Sequence, residues 1–305
     1  MDHFADRLIS AVQRKGTAIC LGLDPRWDQL PKVVCEQALS EHGDTPRARA
    51  EGFLAFNRTV IDAVANLVPI CKPQVAFYEQ LGADGWRALE ATVAYAREKG
   101  VLVIADAKRN DIGSTAEAYA QAHLTDAPGA INADALTVNP FMGSDTLAPF
   151  LKTGVALGRG IFVLVKTSNA GSGDLQDLKV DGQPIYERIA GMVGELGEGH
   201  VGASGFSSVG AVVGATYPEQ ARRLRELLPK TIFLVPGYGA QGGGADDVAP
   251  AFCAGGLGAI VNSSRGLIFA YRNEPYRSEF GEERYPEAIR AATEAMAQDL
   301  RKVCT

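Results

Sequence analysis

Short apolar runs recur along the chain, and segments with helical periodicity separate them. Apolar runs that are bounded by glycine, proline and polar residues are typical of buried strands in a parallel sheet. The predicted strands cover residues 17–24, 69–79, the first part of 101–115, 135–139, 161–167, 210–216, 232–236 and 259–262.

The predicted helices cover residues 1–16, 45–67, 83–100, 115–125 and 144–157, a segment from 185, a segment that ends at 228, and the C-terminal stretch. Eight strands in alternation with helices predict an α/β fold, a (β/α)8 TIM barrel with an N-terminal helix. An open doubly wound sheet gives the same alternation and stays an alternative. No repeat, low-complexity tract or linker divides the chain, so we expect residues 1–305 to form one domain.

The segment 101–115 reads VLVIADAKRNDIGST and joins an apolar strand to charged residues. Because side chains alternate along a strand, Asp106 and Lys108 share one face with Ile104. The opposite face is small and apolar, as expected beneath helices. A buried Asp–Lys pair is costly to desolvate and is uncommon where only stability is required. A purely structural ion pair nevertheless remains open at this point.

Composition and charge narrow the class of protein. The 305 residues carry a net charge of −6 and no basic cluster, which argues against nucleic acid as a partner. No apolar run approaches the roughly 20 residues that cross a bilayer, so we expect no membrane span. The N-terminus resembles neither a signal peptide nor a transit peptide. The five cysteines form no CxxC motif, and we expect a reduced, cytoplasmic protein.

In a (β/α)8 barrel the active site lies at the C-terminal ends of the strands. Polar residues at or near the predicted ends are the candidates for chemistry: Asp24, Lys72, Asp106, Lys108, Ser168, Gln241 and Arg265. The segments PGYGAQGGG and NSSRG follow the last two predicted strands, where this fold commonly binds a phosphate group. Backbone N–H groups of glycines and the guanidinium of an arginine suit phosphate oxygens. The sequence therefore predicts a phosphate site there.

Histidine and metal chemistry have little support. The four histidines fall in predicted helices or loops away from the strand ends, and no His/Cys cluster has metal-ligand spacing. We therefore expect no metal site. Lysine is the plausible proton donor at the predicted barrel mouth, and interleaved lysines and aspartates would keep one another ionised.

The segment DAKRNDIGST is similar to the D-x-K-x-x-D-I-G-x-T pattern of the orotidine 5′-phosphate decarboxylase family. The segments LGLDP, CKP, KTSN, PGYGAQGG and NSSRG resemble other blocks of that family, in the same order. They cover essentially the whole predicted barrel, with a spacing that resembles the longer bacterial branch. Each block is weak alone, but the set is specific.

The resemblance implies a cofactor-free reaction in which orotidine 5′-monophosphate loses CO2 to give UMP, the last step of pyrimidine synthesis. It implies that Lys108 protonates C6 of the ring and that Asp106 lies beside the departing carboxylate. Lys72 and Asp111 would complete the charged array. Residues matching Asp111 and Thr115 reach the neighbouring subunit's site in that family, which implies a homodimer with shared active sites.

The resemblance also implies how the substrate is held. Asp24 and Thr115 would bind the ribose, and Ser168 would bind the pyrimidine. Gln241 would bind the phosphate together with Arg265. No role is assigned to residues 38–50, 170–184 or 272–284, except that the loop 170–184 would cover the pyrimidine.

Two other functions stay open. One is a Mg²⁺-dependent sugar-phosphate decarboxylase or aldolase of the same superfamily, which shares the D-x-K-x-x-D pattern. Those relatives present a glutamate metal ligand from the second strand, where this chain has Lys72, and Glu79 lies past that position. The other is a non-catalytic nucleotide-binding barrel, which would keep the phosphate loop but would not require Lys108 beside Asp106.

Overall fold

Eight parallel strands close into a barrel in the computed structural model, which describes residues 3–239 and 244–303. The strands are β1 Ile19–Leu23, β2 Ile70–Pro73, β3 Leu102–Arg109, β4 Ala135–Val138, β5 Gly160–Lys166, β6 Ser207–Val213, β7 Thr231–Pro236 and β8 Ala259–Ser263. Each strand pairs with its neighbours in the chain, and β1 pairs with β8. The predicted barrel is confirmed, and the open doubly wound sheet is excluded.

Helices surround the barrel. They are α1 Phe4–Lys15, α2 Lys32–His42, α3 Pro46–Val64, α4 Ala76–Glu79, α5 Gly82–Glu98, α6 Gly113–Leu124, α7 Ala148–Ala156, α8 Gly173–Gln176, α9 Ile185–Glu198, α10 Pro218–Leu227, α11 Ala245–Val248, α12 Arg265–Ile268, α13 Tyr276–Phe280 and α14 Tyr285–Arg301. A small antiparallel hairpin, Lys179–Val180 with Gln183–Pro184, lies in the connection from β5 to α9.

Two strands differ from the sequence pattern. The pattern predicts a strand over 69–79, but β2 ends at Pro73 and the chain turns into α4, because proline has no N–H to donate to a neighbouring strand. β6 begins at Ser207 rather than at 210, because the buried hydroxyl of Ser207 donates to the carbonyl of Gly197 and a polar residue is accommodated there.

Two apolar clusters stabilise the barrel, one inside it and one between the strands and the helices. In β3, Ile104 belongs to the inner cluster, whereas Val103 and Ala105 belong to the outer one. This is the alternation that the sequence predicts. The same alternation directs the next residue of the inner face, Asp106, towards the barrel interior.

The helix α1 closes the N-terminal end of the barrel. Its buried face includes Phe4, Leu8 and Val12, and the ring of Phe4 lies edge-on to Phe162 with 6.0 Å between the centroids. Gly16 ends the helix in the left-handed conformation, with φ of 64°. Each large apolar side chain buried in this way contributes about 1.5–3 kcal/mol. This end of the barrel is therefore filled by side chains.

No helix within residues 3–239 and 244–303 has both the length and the apolar character to cross a membrane. The cysteines in these ranges, Cys20, Cys35, Cys71 and Cys253, are free thiols.

Candidate active site

Asp106, near the C-terminal end of β3, is the centre of a buried hydrogen-bond network. The ammonium of Lys72 donates to its Oδ2 at 2.6 Å, and the ammonium of Lys108 donates to its Oδ1 at 2.6 Å. Two neutral side chains complete the shell. The amide of Gln74 donates to Oδ2 at 3.0 Å, and the hydroxyl of Thr137 donates to Oδ1 at 2.9 Å. Both oxygens of one carboxylate are therefore fixed in position.

The charges of this network keep one another ionised. Burial alone would raise the pKa of Asp106, but the ammonium groups of Lys72 and Lys108 overcome that effect and hold this pKa well below its ordinary value. Burial alone would lower the pKa of Lys72, but the carboxylates of Asp106 and Asp24 overcome it and raise the pKa. The carboxylate of Asp106 therefore lies between the side chains of Lys72 and Lys108 and is held in its charged form.

The two lysines differ in access. The side chain of Lys72 is 6% exposed, whereas that of Lys108 is 45% exposed. Lys108 also has φ of 49°, a left-handed conformation that is uncommon for residues other than glycine. Such strained conformations concentrate at functional sites. Lys108 is thus the lysine that an incoming molecule reaches.

The end of β1 lies against the start of the segment that contains Arg265. Gly22 pairs with Lys72 in the sheet, and a Cβ on Gly22 would lie only 2.5 Å from the Cβ of Ser264. Asp24, just past β1, has a buried Oδ1 that accepts no hydrogen bond from the described residues. This oxygen is a free acceptor close to the charged network, which suits a hydroxyl of a ligand.

Ser168 follows β5 and is held by its backbone. Its Cα lies 2.8 Å from where a Cβ on Gly214 would be, so only glycine allows this approach. The hydroxyl of Thr216 donates to the Ser168 carbonyl at 3.3 Å. The loop beyond it is attached through Lys166, which is fully buried and donates to Asp177 at 2.8 Å. Ser168 is therefore fixed at the C-terminal end of the barrel.

The predicted phosphate site is described in part. Arg265 is exposed at the start of α12, directly after β8, and its side chain is open to a ligand. Gln241 lies outside the described residues. The placement of Arg265 at the C-terminal end of the barrel agrees with the sequence pattern.

Asp111 and Thr115 are not brought into the network of their own chain. Asp111 follows β3, and its Oδ1 accepts the N–H of Ile112 at 2.8 Å. Thr115 is exposed in the first turn of α6. Among the described residues, no hydrogen bond or ion pair links either side chain to Lys72 or Lys108.

Gln74 and Thr137 are network residues that the sequence pattern does not single out. The signal for Gln74 is its position two residues after Lys72, on the same side of the chain. The signal for Thr137 is a hydroxyl within the otherwise apolar strand β4, which reads ALTV. Buried hydroxyls require hydrogen-bond partners, and here the partner is Asp106.

The possible metal ligand Glu79 lies away from the network. It is in α4, with a side chain 41% exposed, and forms an ion pair with Arg109. Within the described ranges, no group of three or more His, Cys, Asp or Glu side chains is arranged to bind a metal ion. In β2 itself, the charged residue is Lys72.

These features define a (β/α)8-barrel enzyme whose site is built around a buried lysine–aspartate–lysine network. The chain belongs to the orotidine 5′-phosphate decarboxylase / HUMPS family, whose model matches residues 17–275. An orotidine 5′-phosphate decarboxylase of Rhodopirellula baltica is 48% identical over 304 residues, which is 99% of this chain and 100% of that relative. One of Clostridium perfringens is 40% identical and covers 93% of this chain, with 95% of its own length matched.

Solved structures agree with this membership. The structure of Leishmania donovani OMP decarboxylase has a TM-score of 0.76 and 31% sequence identity, covering 99% of this chain and 98% of that chain. A putative orotidine 5′-phosphate decarboxylase of Streptomyces avermitilis has a TM-score of 0.79 and 31% identity, covering 100% of this chain and 96% of that one.

Proposed function

We propose that the protein catalyses the decarboxylation of orotidine 5′-monophosphate to UMP and CO2 without a metal or cofactor. The single observation that carries this proposal is Asp106 held between the ammonium groups of Lys72 and Lys108 at 2.6 Å each. The family and the named relatives support the same reaction. In biological terms, this reaction completes pyrimidine nucleotide synthesis.

The proposed reaction requires only the substrate and one proton from Lys108. The bond from C6 to the carboxylate breaks, its electron pair stays on C6, and CO2 leaves. Lys108 then gives one proton to C6, which completes UMP. Two carboxylates about 4 Å apart repel by roughly 4 kcal/mol at an effective dielectric constant of 20. With the substrate carboxylate beside Asp106, this repulsion disappears as CO2 leaves, while attraction between Lys108 and the carbanion grows.

The rest of the substrate is bound by groups around the mouth. The free Oδ1 of Asp24 suits a ribose hydroxyl. Thr115 is proposed to bind the ribose as well. Ser168 is proposed to bind the pyrimidine. The phosphate is proposed to bind Arg265, with Gln241, and its binding energy would hold the distant carboxylate against Asp106.

A Mg²⁺-dependent sugar-phosphate enzyme fits the site less well. The named relatives are orotidine 5′-phosphate decarboxylases, and the site favours the same reaction. Lys72 contributes a positive charge where a metal would require a negative ligand, and Glu79 is engaged by Arg109. A non-catalytic barrel would not require an accessible lysine against a buried carboxylate.

We also propose a homodimer in which Asp111 and Thr115 enter the partner's site. Ile112, Phe141 and Met142 are 57%, 76% and 47% exposed, which is unusual for large apolar side chains. Ile112 directly follows Asp111, and the pair Phe141–Met142 follows β4, which neighbours β3. A second copy seated here would cover these side chains and place Asp111 near a second mouth. The free thiols in the described ranges suit our proposal of a cytoplasmic location.

The test is to add orotidine 5′-monophosphate to the protein in excess EDTA and to measure both the loss of substrate absorbance and the release of CO2. We expect turnover in EDTA, and no measurable turnover for Lys108→Ala. Lys152→Ala, at an exposed position of α7, is the matched control and should retain parental activity. Loss of activity in EDTA, with recovery of activity after addition of Mg²⁺, would support the sugar-phosphate alternative. Absence of turnover in the parent would overturn the proposal.

A further inference from the structure

Thr137 joins the two catalytic groups by a pair of hydrogen bonds. Its side chain lies in β4 and the residue is 1% exposed. Its Oγ1 accepts the backbone N–H of Lys108 at 2.9 Å and donates its own proton to Oδ1 of Asp106 at 2.9 Å. A hydroxyl has one proton, so acceptance from the N–H and donation to the carboxylate use both of its roles at once.

The backbone explains why this hydroxyl is required. In the pairing of β3 with β4, Ala105 lies opposite Leu136 and Arg109 lies opposite Val138. Residues 106–108 of β3 therefore lie opposite the single residue Thr137 of β4. This bulge contains Asp106 and Lys108. A bulge leaves backbone groups without a ladder partner. The N–H of Lys108 is such a group, and Thr137 supplies its acceptor.

Removal of the hydroxyl would affect both catalytic groups. Lys108 is in the left-handed conformation, and its N–H bond to Thr137 is a contact that stabilises this geometry. The same hydroxyl binds the Asp106 oxygen that the ammonium of Lys108 contacts at 2.6 Å. A closed ring of hydrogen bonds therefore runs from the Lys108 N–H to the Thr137 hydroxyl, on to the Asp106 carboxylate, and back to the Lys108 ammonium.

We infer that Thr137 is a positioning residue of the reaction: it holds the main chain of Lys108 relative to Asp106 so that the ammonium is aimed at C6. The inference rests on the proposed function, and the Thr137 hydroxyl bonds Lys108 and Asp106 rather than the residues proposed to hold the phosphate and ribose. It therefore acts on the chemical step and leaves substrate binding largely unchanged.

The test compares Thr137→Val, which keeps the shape and loses both hydrogen bonds, with Thr137→Ser, which keeps the hydroxyl. A small misplacement of a reacting group costs about 100-fold in rate, so we expect kcat of Thr137→Val to fall by about that factor while KM changes little. Thr137→Ser should retain most of the parental kcat. The matched control is Thr293→Val, at a residue of 0% exposure in α14 whose hydroxyl donates to the Ile289 carbonyl. It should retain full activity.

Circular dichroism and UMP binding by calorimetry check that each variant is folded and binds nucleotide. If Thr137→Val does not fold, Thr137→Ala takes its place, and the expected order of kcat remains Ser well above Ala. Parental kcat in Thr137→Val or Thr137→Ala, or equal losses in the Ser and Val variants, would overturn the inference. A parent protein that does not turn over orotidine 5′-monophosphate would instead overturn the proposed function.

Discussion

Lys72 and Lys108 bind opposite oxygens of one carboxylate at the same distance, 2.6 Å, yet only Lys108 is open to a ligand. Their side chains are 6% and 45% exposed. From this asymmetry we expect different roles: Lys72 would neutralise Asp106 within the fold, and Lys108 would meet the substrate. The same difference leads to different expectations for their substitution.

Replacement of Lys72 by methionine should destabilise the protein. It leaves the buried carboxylate of Asp106 with half of its counter-charge, and removal of one partner from a buried ion pair costs about 3–5 kcal/mol. Urea unfolding followed by circular dichroism measures the free energy of unfolding. Lys99→Met is the control, because Lys99 pairs with Asp62 on the surface and such pairs contribute little. An unchanged urea midpoint for Lys72→Met would contradict this account of the network.

His123 should make the stability depend on pH in the acid range. Burial lowers the pKa of His123 to about 4, against a hydrogen bond to the Tyr119 carbonyl, which raises it. In the unfolded chain the pKa is about 6.5, so below that pH the unfolded state binds a proton that the folded state does not. The stabilisation is therefore complete above pH 6.5 and is lost as the pH falls towards 4, by up to about 3 kcal/mol.

The check is the free energy of unfolding of His123→Gln and of the parent, measured across this pH range. The free energy of unfolding of the glutamine variant should fall less steeply with falling pH, because its unfolding takes up about one proton fewer. Parallel curves for the parent and His123→Gln would mean that His123 is not the group that titrates.

Replacement of Arg265 by alanine should weaken substrate binding more than it affects the chemical step. Loss of a charge-assisted bidentate contact with phosphate costs about 2–3 kcal/mol, or roughly 30- to 150-fold in KM. Because Arg265 is exposed, the fold should be unaffected. Added guanidinium should restore part of the activity, and Arg301→Ala, at another exposed arginine, should behave as the parent. A normal KM for Arg265→Ala would show that the phosphate binds elsewhere.

Mixtures of inactive variants should test the shared site. With Asp111 acting in the partner's site, a heterodimer of Lys108→Ala and Asp111→Ala has one intact site. Random exchange makes about half of all dimers mixed, so activity should return to about a quarter of the parental value per site.

The control mixture is Lys108→Ala with Asp106→Ala. These two side chains bind each other within one chain, so every heterodimer has two damaged sites and no activity returns. Subunit exchange is verified by mass spectrometry of differently tagged chains. Activity that stays at zero in the first mixture, with exchange verified, would mean that Asp111 acts within its own subunit.

The sequence predicts most of the fold because each strand carries a local apolar signal, and the alternation in β3 correctly assigns Ile104 to the barrel interior. It does not predict the bulge at Lys108, because the left-handed backbone is stabilised by a hydrogen bond that the Lys108 N–H donates to a residue of another strand. Gln74 and Thr137 are not predicted for the same reason: the sequence does not show which partner a neutral polar residue will bond in the folded chain. The role of Gln241 stays a prediction.

The closure of the barrel by α1 restricts the route by which substrate and products enter and leave the site. Among the described residues, Phe4 and Phe162 fill the far end, so we expect reactants to enter and leave at the C-terminal end of the strands. CO2 that forms at the depth of Asp106 must escape towards the same opening through which the nucleotide departs. UMP that remains bound there would block the next substrate molecule, so we expect inhibition by UMP to be competitive with orotidine 5′-monophosphate.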